Sequence, residues 1–366
     1  MLVKDIMAAI ETYAPIVYQE SYDNSGLQVG DPQMEVNGVL LALDVTEAVL
    51  EEAVSRNCNM IVAHHPVIFS GIKKLTGRNY VERIVIKAIQ NNIAIYAAHT
   101  NLDNMRNGVN AKIAEKLGLQ NTAILDMKMA TLSKLYTYVP LADADKVRNA
   151  LFAAGAGSIG KYEECSFNIN GTGTFRPDKE ANPVIGTAGG DREWVDEVKL
   201  EVLVHKHNET RVMKALFEVH PYEEVAFEFI ALQNPNQEIG AGMVGTLEHP
   251  MKVSDFLAHL KQKMNVSMIR HTNLCRETVS KVAVCGGSGS FLLKDAISAE
   301  ADIFITADFK YHQFFDAEGR IIIADIGHYE SEQFTIEIFR DILNKKFSNF
   351  AVLLSNLSTN PVKYFS

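Results

Sequence analysis

Short apolar runs that stop at a polar residue recur over the first third of the chain and again near its end. "GVLLALD" ends at Asp44 and leads into the helix-like "VTEAVLEEAVSRN". "NMIVAHH" ends at His64 and His65, and "NIAIYAAHTNLD" ends near His99 and Asp103, before a helical "GVNAKIAEKLGL" stopped by Gly118. Beyond residue 280 the pattern resumes with "KVAVCGGSGS", "ADIFITADFKYH" and "GRIIIADIGHYESEQFTIEIFRDILNKKF". Strands alternating with helices predict an α/β host lobe with a mainly parallel sheet flanked by helices. Sheets of that kind gather ligands at the carboxyl ends of their strands, where these polar residues fall.

The middle of the chain has another rhythm. "TLSKLYTYVP" reads as a strand, Asp143 as a cap for the helix "ADKVRNALFAAGA", and "CSFNINGTGTF" and "DEVKLEVLVHKH" as two more strands. Asn208 then caps "ETRVMKALFEV", and "EVAFEFIAL" closes a βαβ–βαβ order, the ferredoxin-like α+β arrangement. The expected organisation is a first host half over 1–130, an insert over 131–231 and a second host half over 232–366. "QNPNQEIGAG" serves as the linker after the insert.

Composition narrows the classes. The chain has 366 residues, 47% of them hydrophobic and 22% charged, as in an ordinary globular protein. A formal net charge of −10 argues against a broad nucleic-acid footprint, which needs a basic stripe. Cys58, Cys165, Cys275 and Cys285 form no CxxC pair and read as reduced residues of a cytoplasmic protein. The N-terminal stretch is acidic and helix-periodic, unlike a secretory signal, and no apolar run approaches the roughly 20 residues of a membrane span.

Two adjacent histidines at a strand exit pose the chemical question. Neighbouring strand residues face opposite ways, so two imidazoles converge only where the backbone has left the sheet, and Pro66 suits such an exit. His64, His65, His99, Asp103, His328 and Glu332 all fall at strand exits or the turns after them, and His328 and Glu332 share a helical face. Imidazoles with carboxylates suit borderline divalent ions, zinc first, with iron and manganese as alternatives. His312, after another strand, is a candidate acid or base, and so is His99, which otherwise supports the pocket from behind. "GGSGSF" (286–291) either cradles a substrate phosphate or makes a tight turn. His205 and His207 share a strand face that reads as solvated, and "EVHPYEEVAF" (218–227) as a helix-to-strand turn.

The stretches "YDNSGLQVG", "AHHPVIFSG", "AAHTNLDN", "TADFKYHQ" and "DIGHYESE", in this order, resemble the Ngg-interacting-factor-three-like dinuclear metal family, also known as GTP cyclohydrolase type 2 homologues. The resemblance covers essentially the whole chain. It implies metal ligation by His64, His65, Asp103, His328 and Glu332, with Glu332 bridging two ions. It also implies hollow rings, often hexameric, and an insert similar to PII and CutA folds. Tyr22 stands where the family usually has Trp, with no consequence for the ligands. Two functions are then expected to compete. One is a metal-dependent hydrolase acting on a small molecule such as a nucleotide. The other is a non-catalytic metal-binding regulatory protein with a PII-like sensor insert.

Overall fold

A computed structural model describes residues 1–365. It forms two compact units, one from residues 1–127 with those from Gln237 onward, the other from Lys128–Asn236.

The first unit holds two sheets. In the five-stranded one the order is Gly26–Val29, Ala94–Ala97, Met60–Ala63, Val39–Ala42 and Val352–Leu354, parallel except for Gly26–Val29 at its edge. Its central strands are buried on both faces, which explains their unbroken apolar sequences. Leu40, Ala42, Ile61, Ala63 and Ile95 face the helices Glu47–Ser55 and Tyr80–Gln90. Val39, Leu41, Met60, Val62 and Tyr96 face a core shared with the second sheet. That sheet has six strands, with Ile322–Asp325, Ile303–Ala307 and Thr278–Ser288 parallel at its centre. Gly240–Lys252 and Gln120–Met127 extend it antiparallel on one side. Strands expected in one mainly parallel sheet are thus shared between two. The helices Val3–Tyr13, Val109–Leu117, Val253–Lys263 and Thr335–Lys346 give both sheets a common apolar filling.

Local chemistry sets the helix ends. The Thr46 hydroxyl accepts from the Val49 amide at 3.2 Å, and Asn79 Oδ1 from the Glu82 amide at 2.9 Å. Gly118 ends its helix in the left-handed region, φ +73°. No helix among the described residues is long and apolar enough to cross a membrane.

The second unit is a four-stranded antiparallel sheet ordered Phe227–Leu232, Leu132–Pro140, Glu193–His205, Ser166–Phe175. In chain order this is 4-1-3-2, the ferredoxin-like order. Leu135, Val139, Leu200 and Val202 pack against Val147, Leu151, Val212 and Leu216 of two helices, Ala144–Ala153 and Glu209–Val219. Asp143 and Asn208 do stand at the N-cap positions, but neither side chain makes the cap bond. The Asn208 amide donates instead to the Gly155 carbonyl at 3.0 Å, because the 3-10 turn ahead of the helix turns it towards that loop.

His220 in this unit is buried and neutral: Nε2–H donates to the Tyr138 carbonyl at 3.0 Å and Nδ1 accepts from the Tyr222 amide at 3.2 Å. Burial lowers its pKa, and a second ring proton would meet the Tyr222 N–H. A histidine with a depressed folded pKa contributes stability above its unfolded value of about 6.5, lost as pH falls below it. Amide protection across 128–236 in the full chain, corrected for the base-catalysed intrinsic exchange rate, should therefore fall between pH 7.5 and 5.5. A His220→Gln variant should flatten that dependence; an unaltered slope would exclude His220 as its source.

Candidate metal centre

At Ala63 the chain leaves the ladder. The amides of His64 and His65 both donate to one carbonyl, Leu43, at 3.1 and 3.0 Å. That shared acceptor turns the backbone so that two successive rings converge, with centroids 4.9 Å apart. His64 Nδ1 donates to the Ala98 carbonyl at 2.9 Å, and His65 Nδ1 to Asp44 Oδ1 at 2.7 Å. His99 follows the next strand and donates from Nδ1 to Asp23 Oδ1 at 2.8 Å. The other Asp23 oxygen accepts from the Thr100 amide at 3.0 Å, starting the short helix Thr100–Asp103 that presents Asp103. The helix His328–Glu332 begins after Gly327, and His328 Nδ1 donates to Asp308 Oδ2 at 2.7 Å. All four imidazoles are thus held by Nδ1 and present Nε2, the arrangement in which a fixed tautomer is ready to bind a cation.

Glu332 is buried at the centre. Its Oε2 lies 3.0 Å from His65 Nε2 and 3.1 Å from His328 Nε2; its Oε1 lies 3.8 Å from His64 Nε2. His64 Nε2 is in turn 3.5 Å from Asp103 Oδ1, and these two buried atoms have no hydrogen-bond partner. Three sets of donor atoms each fall within 4.8 Å: His64–His65–His99, His65–His328–Glu332 and His64–Asp103–Glu332. Two donors about 2.1 Å from one tetrahedral ion stand roughly 3.4 Å apart, so the 3.0–3.8 Å separations here suit a shared cation. An orphaned nitrogen facing an orphaned carboxylate oxygen is costly without one.

The electrostatics are strained in the same sense. Burial and the neighbouring Glu332 push Asp103 well above the usual carboxylate range. Burial also disfavours the Glu332 anion, but hydrogen bonds from His328 and His65, with the nearby His64 ring, overcome it and hold that carboxyl well below its usual range. Burial works against charge on His65 and His328 too. Their pairs with Asp44 or Asp308 and with Glu332 prevail, raising them to about 10 and about 11. Protons on His65 and His328 thus offset the buried Glu332 charge, a task that a divalent ion could take over.

Of the residues singled out from sequence, His64, His65, His99, Asp103, His328 and Glu332 are brought together. His312 is exposed on the turn Tyr311–Ala317, its ring against Tyr311 and Phe315, outside all three donor sets. The glycine turn is committed inward: the Gly286 amide donates to Asn110 Oδ1 and the Gly287 amide to Ser331 Oγ, both at 2.9 Å. The sequence reading did not identify the anchoring carboxylates Asp23, Asp44 and Asp308 as partners of the histidines. Their signal was position, each lying just after a strand or just before one. Asp308 adopts φ +57°, which Asp tolerates better than most residues.

The family model Duf34/NIF3 (NGG1p interacting factor 3) matches residues 1–361. The chain belongs to this family. A Staphylococcus epidermidis relative named GTP cyclohydrolase 1 type 2 homolog is 36% identical, with 100% of both chains covered. A Bacillus cereus protein related to NIF3 superposes with a TM-score of 0.86 at 36% identity, covering 100% of this chain and 99% of that one. A Staphylococcus aureus structure matches with a TM-score of 0.79 at 31% identity over the same shares. The NIF3 relatives are therefore similar over the insert as well as the host unit.

Proposed function

We propose that this NIF3-family protein holds two divalent ions and is a metal-dependent hydrolase of a small molecule. The observation that carries the reading is Glu332, whose two oxygens face separate donor sets. His64 and Asp103 would hold one ion, His65 and His328 the other, with Glu332 shared. Zinc fits this nitrogen-and-carboxylate set first, with iron or manganese next. When bound, the ions supply Lewis acidity that activates water near neutral pH.

The chain's own residues do the rest. Asp44, Asp308 and the Ala98 carbonyl keep their histidines in the tautomer that leaves Nε2 free. His99 stands 5.3 and 5.4 Å from the His64 and His65 rings and is pinned by Asp23. In this reading His99 carries a proton between substrate and solvent. His312, being exposed, would act only on a substrate that reaches out to it. The relatives' name makes GTP the first substrate to try, and a cytoplasmic, ring-shaped homo-hexamer is the assembly we expect. A second reading, a metal-binding regulator, draws support from the ferredoxin-like unit, which is a compact unit of its own.

The deciding experiment incubates zinc-, iron- and manganese-loaded protein with GTP and simpler phosphate esters, following formate and phosphate release. We expect turnover in the wild type that falls at least about 100-fold in Glu332→Gln, as loss of a shared ligand should. Turnover insensitive to Glu332, or none at all, would favour the regulatory reading.

A further inference from the structure

The segment after the strand Val352–Leu354 hydrogen-bonds to both sides of the donor cluster through two adjacent residues. The Thr359 hydroxyl donates to Asp44 Oδ2 at 2.5 Å, while Oδ1 of the same carboxylate accepts from His65 Nδ1 at 2.7 Å. The Asn360 side-chain amide donates to Glu330 Oε1 at 3.0 Å, and its carbonyl oxygen accepts from the Val362 amide at 2.9 Å. Asp44 follows a strand of the five-stranded sheet. Glu330 is buried within the helix His328–Glu332, which follows a strand of the six-stranded sheet. The segment is itself fixed upstream, where the Ser355 amide donates to the Leu41 carbonyl at 2.8 Å and the Asn356 amide to Glu52 Oε1 at 2.9 Å.

We infer that Thr359 and Asn360 are positioning residues that clasp the two halves of the metal centre together. A carboxylate held by one oxygen can still swing about its terminal torsion, which is broad. A second hydrogen bond from a fixed hydroxyl stops that swing, and with it the drift of the His65 ring that the carboxylate orients. Asn360 does the corresponding work on the other sheet, tying down the one-turn helix that carries both His328 and Glu332. A helix of five residues has little stability of its own and needs such a tie. Two neighbouring residues of one strap therefore set the spacing between ligands that come from different sheets. Neither side chain contributes a donor to the cluster.

This inference rests on the dinuclear reading for its purpose, but its geometry can be tested without metal. In the metal-free full chain, Thr359→Val with Asn360→Ala should speed amide exchange at 43–46 and 328–333, whereas Thr359→Ser should leave it near wild type. With cobalt as the probe, Thr359→Val should weaken binding by about fivefold to tenfold, less than the 10–100-fold typical of a residue directly behind a ligand. The visible cobalt bands should broaden or shift with it. In an Asp44→Ala background the Thr359→Val effect should vanish, because Thr359 acts through that carboxylate. Additive losses, a serine variant as poor as valine, or unchanged exchange in the double variant would each overturn the clasp. Failure of the wild type to take up cobalt would instead reject the dinuclear reading, with the exchange rates still deciding the clasp.

Discussion

Glu332→Gln should cut the divalent ions retained per chain from two to one or none. Loss of a group that merely orients a ligand commonly costs 10–100-fold in affinity, so loss of a shared ligand should cost about 100-fold or more. The amide keeps the shape of the carboxylate but removes the charge that faces His65, His328 and His64. Metal analysis after gel filtration, with chelator competition, reads the result; two ions held at wild-type affinity would sink the bridging assignment. The metal-free protein provides an independent check. There the carboxylate helps to raise His65 and His328 to about 10 and about 11. Both values should drop in the glutamine variant when imidazole resonances are titrated by NMR. The sign follows from linkage: these ion pairs support the metal-free chain fully below pH about 6.5, and that support is lost as pH rises through the folded pKa values. Cation uptake by the wild type must displace those protons, so apparent affinity should increase with pH.

How much of this was legible beforehand depends on distance along the chain. The double histidine before Pro66 and the His328–Glu332 spacing are local signals, and both led to residues that meet. The alternating order of the middle segment likewise announced its own topology, because each helix packs on the strand just before it in sequence. What stayed hidden was set by long-range register. Asp44 lies 21 residues before His65, Asp23 lies 76 before His99, and the Thr359 contact to Asp44 spans 315 positions. No spacing rule encodes such pairs. The split into two sheets was hidden for a similar reason: a buried parallel strand reads as the same apolar run whichever sheet it joins. Asp143 and Asn208 occupied cap positions but not cap geometry, since residue type sets the preference while the preceding turn sets the side chain's aim.

The glycine turn that suggested phosphate binding has another use, and it yields the second large effect. Gly287 sits at φ +61°, and a Cβ there would fall 2.4 Å from Glu332 Oε1 and 3.3 Å from His328 Cε1. Relief falls on the free end of the carboxylate, since the other oxygen is held by both His65 and His328. Gly287→Ala should therefore displace Oε1, the oxygen that faces His64 and Asp103, more than Oε2. The expected outcome is selective: the ion between His64 and Asp103 is lost first, and stoichiometry falls towards one. A left-handed alanine also costs roughly 1–2 kcal/mol in folding stability. Gly118→Ala is the control for that part, because Gly118 is left-handed as well but a Cβ there meets nothing within 4 Å. Comparable destabilisation of both variants, with metal lost only from Gly287→Ala, would assign the glycine to the space that Glu332 needs. Two ions retained in Gly287→Ala would mean that Glu332 can rearrange without giving up either, and the shared-carboxylate geometry would have to be abandoned.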